Sequence, residues 1–326
     1  MSPLTDKGAT IAAVKPSDAK PRHKRSRKPI RKAYHPSVWP TWMIIGIAWC
    51  LTRLPTRTIG RIGKRLGDIT YHLAKQRRHI TQVNIAKCFP ELSAEEQHAL
   101  VRANFQQIGI GGLELMIPWL NPKRDLASRF TLHGVEHLRA AHAEGRGVIL
   151  VGGHYATMDT ISPALAQLDC IDVMYRFNKN PAWEWLQYNG RKRYFDGVIE
   201  RDDTRGTLRR LKKGRVIWYA TDQDYGPKHS VFAPFFGVEA ATIVATSRFA
   251  RMNNSPVLLM RQTRHPDMTW SITFSEVLED FPSGDDALDA KRLNSLLEEQ
   301  IRHHPEQYMW LHKRFKTRPP GEESFY

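Results

Sequence analysis

The stretch Val148-Ile149-Leu150-Val151-Gly152-Gly153-His154-Tyr155-Ala156-Thr157-Met158-Asp159 sets an apolar strand against two glycines, then a histidine, then an aspartate five positions on. Glycines at a strand end permit a sharp turn and close approach by a substrate, and open α/β sheets place their ligands at such ends. Similar short apolar runs stand at 147–151, 171–175, 216–220 and 256–260, with segments of helical character between several of them. That alternation predicts an α/β fold: a single catalytic body with a mostly parallel or mixed sheet flanked by helices.

Before Arg129 the period is helical. Ile59, Ile62, Leu66, Ile69 and Leu73 recur at three- and four-residue steps, with Arg and Lys between them, which predicts an amphipathic helix over 57–80 lying against the body or a membrane. Ser93 and Glu96 form a capping-box pattern that starts a further helix running toward Glu114 and Pro118. Gly109-Ile110-Gly111-Gly112 either weakens its middle or lets another element pack closely. Near the end, Tyr308-Met309-Trp310-Leu311-His312 reads as a final strand or a packed aromatic segment. No internal repeat is present.

The chemistry that His154 and Asp159 offer is general-base catalysis. An imidazole at this strand end can take the proton from a hydroxyl as its oxygen attacks a thioester or ester carbonyl. Asp159 can accept from the other ring nitrogen, fixing the tautomer, if a tight turn brings the two side chains together. A structural histidine is the competing reading. No serine stands in a GxSxG elbow, and Cys170 lacks a local partner pattern, so direct attack by the acceptor is simpler than a covalent acyl-enzyme. Cys50, Cys88 and Cys170 are far apart, which indicates neither a disulfide framework nor a zinc knot.

Charge adds a class of partner. The 326-residue chain carries +16, and residues 1–35 hold ten Lys or Arg against two acids. A positive surface attracts anionic lipid headgroups, nucleic acid or an acidic carrier protein. Residues 1–35 read as a disordered basic tail, for a membrane surface, for another polyanion or for solubility alone. Within 36–56, the run from Val38 to Leu51 is uncharged and has tryptophans near both ends. It reads as a membrane-anchoring helix preceding the catalytic body at 57–326; a spanning helix, one lying in the interface and an ordinary buried helix all fit.

Four ordered motifs carry a resemblance: Gly153–Asp159, Tyr175-Arg176-Phe177-Asn178-Lys179-Asn180-Pro181, Tyr219-Ala220-Thr221-Asp222-Gln223-Asp224-Tyr225-Gly226-Pro227, and Pro305 through Lys316. Together they resemble the late, or secondary, acyltransferases of lipid A biosynthesis, over about Trp39 to Pro319. The resemblance implies an HX4(D/E) catalytic dyad at His154 and Asp159. It also implies substrate-binding residues at Arg191 and Asp222, with Arg176 a further one and Asp224 a close rival to Asp222. Either arginine fits a phosphate of the acceptor or of the carrier's prosthetic arm, and can also favour negative charge developing on the thioester oxygen, with a structural salt bridge as the competing reading. The run Arg205, Arg209, Arg210, Lys212 and Lys213 fits the acidic carrier, anionic headgroups or a solvated helix face.

From the family likeness follow an acyl carrier protein thioester as donor and a Kdo-linked lipid A precursor as acceptor, joined as an acyloxyacyl ester. Location at the bacterial inner membrane, with the catalytic side cytoplasmic and anionic lipids as partners, follows too. No nucleic acid is expected, and no metal or redox cofactor is required, because a thiolate leaves readily. Lauroyl, myristoyl and palmitoleoyl donors all fit, and the motifs follow the lauroyl branch most closely. A lysophospholipid or glycolipid acyltransferase and a nonenzymatic membrane- or nucleic-acid-binding protein are the alternatives.

Overall fold

The computed structural model describes residues 32–168 and 170–326. Of the basic tail expected over 1–35, only Lys32–His35 fall among them. These four form a turn on the first helix, with Tyr34 stacked on Trp42 at 5.5 Å and the Trp42 indole donating to the Ala33 carbonyl at 2.7 Å.

In chain order the elements are α1 (Trp39–Leu51), α2 (Thr56–Leu73), α3 (Lys75–Cys88), α4 (Ala94–Glu114), α5 (Met116–Leu120), β1 (Phe130–His133), α6 (Val135–Ala143), β2 (Val148–Gly152), α7 (Ser162–Leu165), β3 (Ile171–Tyr175) and α8 (Pro181–Lys192). Then come β4 (Val198–Glu200), α9 (Thr204–Leu211), β5 (Val216–Ala220), β6 (Ser230–Phe235), β7 (Val238–Ile243), α10 (Ala245–Asn253), β8 (Val257–Arg264), β9 (Trp270–Phe274) and α11 (Asp286–His303). Seven strands form one sheet in the order β1-β9-β8-β2-β5-β3-β4. β8, β2, β5, β3 and β4 run parallel, while β9 is antiparallel to β8 and β1 parallel to β9, so the sheet is mixed at one edge. The α/β body expected from the sequence is therefore present.

β2 is central and wholly buried. Its side chains alternate between two cores: Val148 and Leu150 join Leu138, Leu165, Val173 and Trp218, whereas Ile149 and Val151 join Leu211, Phe249 and Val257 on the opposite face. A separate antiparallel hairpin pairs β6 with β7 through Phe236 (φ 50°) and Gly237 (φ 73°), the two left-handed positions of a tight hairpin turn.

The run expected as a membrane anchor is the 13-residue α1. At 1.5 Å per residue it is about 20 Å long, short of the ~30 Å hydrocarbon layer. Among the described residues no helix is long and apolar enough to cross a membrane. Nor is α1 free on all sides: Val38, Ile45 and Ala48 are buried with Met116, Trp119, Ala182 and Leu186. The opposite side presents Met43, Ile44 and Ile47, each more than half exposed.

The amphipathic helix expected over 57–80 is two helices, broken at Ala74, which leaves the helical region (φ −88°, ψ 62°). The capping box forms as expected, with Ser93 N donating to Glu96 Oε2 at 2.8 Å and Glu96 N to Ser93 Oγ at 3.2 Å. The glycines of α4 admit close packing: a methyl group on Gly67 would lie 2.4 Å from the Phe105 carbonyl oxygen, and one on Gly109 would lie 2.3 Å from that of Gly63. Backbone atoms stand on both sides, so neither helix can yield locally. Gly67→Ala is expected to lower stability by about 1–3 kcal/mol in urea unfolding. Gly112→Ala in α4, whose added methyl meets nothing within 4 Å, is expected to raise it by about 0.5–1 kcal/mol. A Gly67→Ala midpoint at or above that of the unaltered chain would contradict the helix contact.

Candidate active site

Parallel pairing of β2 with β5 matches Gly152 to Ala220. Two residues beyond each strand end stand His154 and Asp222, so the register brings them out side by side at the carboxyl edge of the sheet. Asp222 accepts from the His154 backbone N–H through Oδ2 at 2.8 Å, and its Oδ1 lies 2.5 Å from the ring Nδ1. The Asp222 carboxylate is buried, while the His154 side chain keeps 16% of its surface exposed. Burial alone would raise the Asp222 carboxyl. The charge of His154 and hydrogen bonds from its ring, its backbone N–H and the Tyr308 hydroxyl outweigh that and hold it well below the usual carboxylate range.

With Nδ1 directed at Asp222, the His154 proton is held on that nitrogen. Nε2 makes no hydrogen bond among the described residues and is the basic nitrogen left for chemistry. At Gly152 the Trp218 indole nitrogen lies 2.9 Å from where a methyl group would be, so that glycine serves close approach to the neighbouring strand.

Asp159 is not the partner of the His154 ring that the spacing suggested. The chain after His154 makes hydrogen-bonded turns rather than entering a helix at once, and α7 begins only at Ser162. Asp159 instead binds Arg191 in a two-pronged pair, Nε to Oδ1 at 2.7 Å and Nη2 to Oδ2 at 2.8 Å. Burial opposes the Arg191 charge, but Asp159 outweighs it and raises the guanidinium further. Those two donors are committed to Asp159, which leaves the N–H groups of Nη1 and the second N–H of Nη2 for any other partner. Next to this pair Met158, Ile161, Leu165, Val173, Phe195 and Trp218 line a small, mainly apolar cavity.

Arg176 is exposed and forms no ion pair among the described residues. Asp224, the rival of Asp222, is a loop clamp: it accepts from Gly226 N at 2.7 Å, Thr317 N at 2.6 Å and Thr317 Oγ1 at 2.9 Å. Arg210 pairs with the buried Asp172 at 2.8 Å, which leaves Arg205, Arg209, Lys212 and Lys213 as the exposed cations of that run.

The segment after α11 closes the site. Met309 N donates to the His154 carbonyl at 2.9 Å, Ala156 N donates to the Gln307 carbonyl at 2.9 Å, and Tyr155 bridges Tyr308. Sequence reasoning did not assign Asp222 to the histidine. A signal for it exists in the equal offset of the two residues from their strands, Val148–Gly152 and Val216–Ala220.

The family model for bacterial lipid A biosynthesis acyltransferases matches residues 27–317. The chain belongs to that family. Among its relatives are the lipid A biosynthesis lauroyltransferase of Escherichia coli K12, 40% identical over 90% of this chain and 96% of the relative, and the palmitoleoyltransferase of the same strain, 35% identical over 91% and 97%. The lipid A biosynthesis myristoyltransferase of that strain is 26% identical over 88% and 90%. The protein is thus an acyltransferase of lipid A biosynthesis, as the four motifs implied.

Asp222→Asn is expected to leave the ring tautomer unfixed and to lower kcat on the order of 10³- to 10⁴-fold. Its carboxyl is depressed in the folded state, so its contribution to stability is present above the unfolded value near 3.9 and is lost as pH falls toward the folded value. Between about pH 5 and pH 3 the stability gap between the unaltered protein and the variant should therefore narrow as pH falls. Urea unfolding across that range checks this, and a gap that widens on acidification would refute it.

Proposed function

We propose that this lipid A acyltransferase carries a fatty acyl chain from an acyl carrier protein thioester to a hydroxyl of an acyl chain on a Kdo-linked lipid A precursor, forming an acyloxyacyl ester. One observation carries the chemical part of this reading: His154 presents an unengaged Nε2 at the sheet's carboxyl edge while a buried carboxylate holds its other nitrogen. Nε2 takes the proton of the acceptor hydroxyl as that oxygen attacks the thioester carbonyl. Asp222 keeps the tautomer and stabilises the imidazolium that forms. Collapse of the tetrahedral adduct breaks the C–S bond, and the thiolate leaves with the proton that His154 returns.

Asp159, the acid of the HX4(D/E) motif, acts on this reading through Arg191: the pair braces the turn that follows His154. Arg176, exposed and without an ion pair among the described residues, is proposed to meet a phosphate. Since α9 runs back from the carboxyl edge after β4, Arg205 at its beginning stands nearer the site than Lys212 and Lys213. Together with Arg176, Lys179 and Arg201 it offers the acidic carrier a basic approach. Lauroyl is the proposed donor chain, supported by the motifs and by the relative that bears that name.

The acceptor is a lipid, and the exposed side of α1 and α2 fits a membrane surface. Met43, Ile44 and Ile47 on α1 and Leu66, Ile69 and Leu73 on α2 are exposed, with Arg53, Arg57, Arg61, Lys64 and Arg65 among them. Asn180, just beyond β3, donates to Thr41 Oγ1 at 2.8 Å and ties α1 to the site's edge of the sheet. This surface is proposed to lie in the interface of the bacterial inner membrane, on its cytoplasmic side, with anionic lipids against its cations. Ile44→Asp combined with Ile47→Asp should weaken binding to phosphatidylglycerol vesicles at least about tenfold, since each apolar side chain buried contributes about 1.5–3 kcal/mol. The unfolding midpoint should not change, because both residues are exposed; equal binding by both proteins would refute the placement.

Mass spectrometry tests the reaction. Membranes containing the protein or its His154→Ala form are incubated with a tetraacylated lipid A precursor and mixed acyl carrier protein thioesters. A gain of one acyl chain, present only with the unaltered protein and greatest for lauroyl, is expected. No gain from any donor, with the protein folded, would overturn the assignment of donor and acceptor.

A further inference from the structure

His312 lies in the last of the four motifs and has no part in the chemistry described so far. Its ring centroid is 5.7 Å from that of His154, with the planes at 65°. The backbone carrying it is held from several sides. Asn84 Nδ2 donates to the carbonyls of Trp310 and His312, both at 2.7 Å, and Arg77 Nη1 donates to that of Leu311 at 3.1 Å. With Met309 tied to His154 itself, the approach of the two rings is built into the fold.

The protonation of the His312 ring follows from its neighbours. Gln223 Nε2 is 3.0 Å from His312 Nε2. An amide nitrogen only donates, so the imidazole Nε2 accepts and its proton sits on Nδ1. Met309 Sδ, 3.1 Å from the same nitrogen, could only accept from it; a thioether is a weak acceptor, so the stronger amide donor sets the tautomer. Burial, then the nearness of His154, pushes the His312 imidazole down to about 4, with Arg77 and Arg176 acting in the same direction and Asp222 against it. The ring is neutral at pH 7, and Nδ1 makes no hydrogen bond among the described residues. A neutral imidazole beside a general base is thereby left with one N–H to give.

We propose that His312 is a further catalytic residue, whose Nδ1–H donates to the carbonyl oxygen of the reacting thioester as negative charge gathers there. The inference rests on the reading of His154 as the base. As the acceptor oxygen bonds to the carbonyl carbon, its proton passes to His154 Nε2 and the C=O electron pair moves to the oxygen facing His312. Collapse reforms the carbonyl and breaks the C–S bond, and the thiolate leaves with the His154 proton. His312 keeps its own proton throughout.

Three variants of the full chain, His312→Phe, His312→Asn and His312→Gln, are assayed in membranes for kcat and KM, with unfolding midpoints measured alongside. An asparagine amide places its N–H near the position of Nδ1, and a glutamine amide near that of Nε2. The phenylalanine variant should lose about 10²-fold in kcat, the scale of one lost oxyanion donor. Its KM should stay within about twofold, since ground-state binding is not touched. Asparagine should recover about tenfold of the lost kcat and glutamine none. Unchanged kcat in all three, a loss confined to KM, rescue by glutamine instead of asparagine, or losses that track the unfolding midpoints would each overturn the proposal. If the unaltered protein transfers no acyl chain from any thioester, the underlying reading of the reaction fails, which is a separate result.

Discussion

Two parallel strands paired Gly152 to Ala220 leave the sheet together, and the hydrogen bonds between His154 and Asp222 are the direct result. Each link in that pairing is an ordinary backbone contact. Yet a slip of one residue would turn Val151 and Tyr219 to the wrong faces and separate the histidine from its acid. Burial of β2 on both sides is what prevents the slip, because its alternate side chains fill two different cores. Packing in the middle of the sheet thus determines which nitrogen of His154 is basic.

Charges around this centre are consumed locally. Asp159 and Arg191 satisfy each other, and Asp172 takes Arg210 and Arg215 at 2.8 Å each. Buried pairs of this kind contribute little net stability once desolvation is counted, and removing one partner is costly. Their effect is geometric. One braces the turn after His154, and the other fastens α9 beside β3 and β5. Arg176 and Arg205 stay exposed and form no ion pair among the described residues.

Much of the fold was legible. β3 and β5 occupy the apolar runs 171–175 and 216–220, and the Ser93–Glu96 capping box opens α4, because strand burial and helix capping are local. The short strands β1 and β9, with alternating burial, and the three-residue edge strand β4 carried too weak a pattern to stand out. The β6–β7 hairpin escaped notice because Phe236-Gly237 is not a usual turn pair; the Phe236 ring packs against Phe89 and Trp310 at 5.0 and 5.9 Å in spite of its left-handed backbone. No glycine or proline marks the break at Ala74. The apolar run at 38–51 read as an anchor, since hydropathy does not reveal that Ile45 and Ala48 face Trp119 and Leu186. For the site, the residue types were legible and the pairing was not: His154 and Asp222 are joined by register across 68 positions, and the nearer acid, Asp159, belongs to an arginine.

Tyr308 and Met309 reach back to Tyr155 and His154 from beyond α11, and Thr317 is clamped by Asp224. During synthesis the central strands are complete long before these residues have been added. A chain still leaving the ribosome has the base and its acid but lacks the wall beside them until residues 308–317 have also emerged and docked.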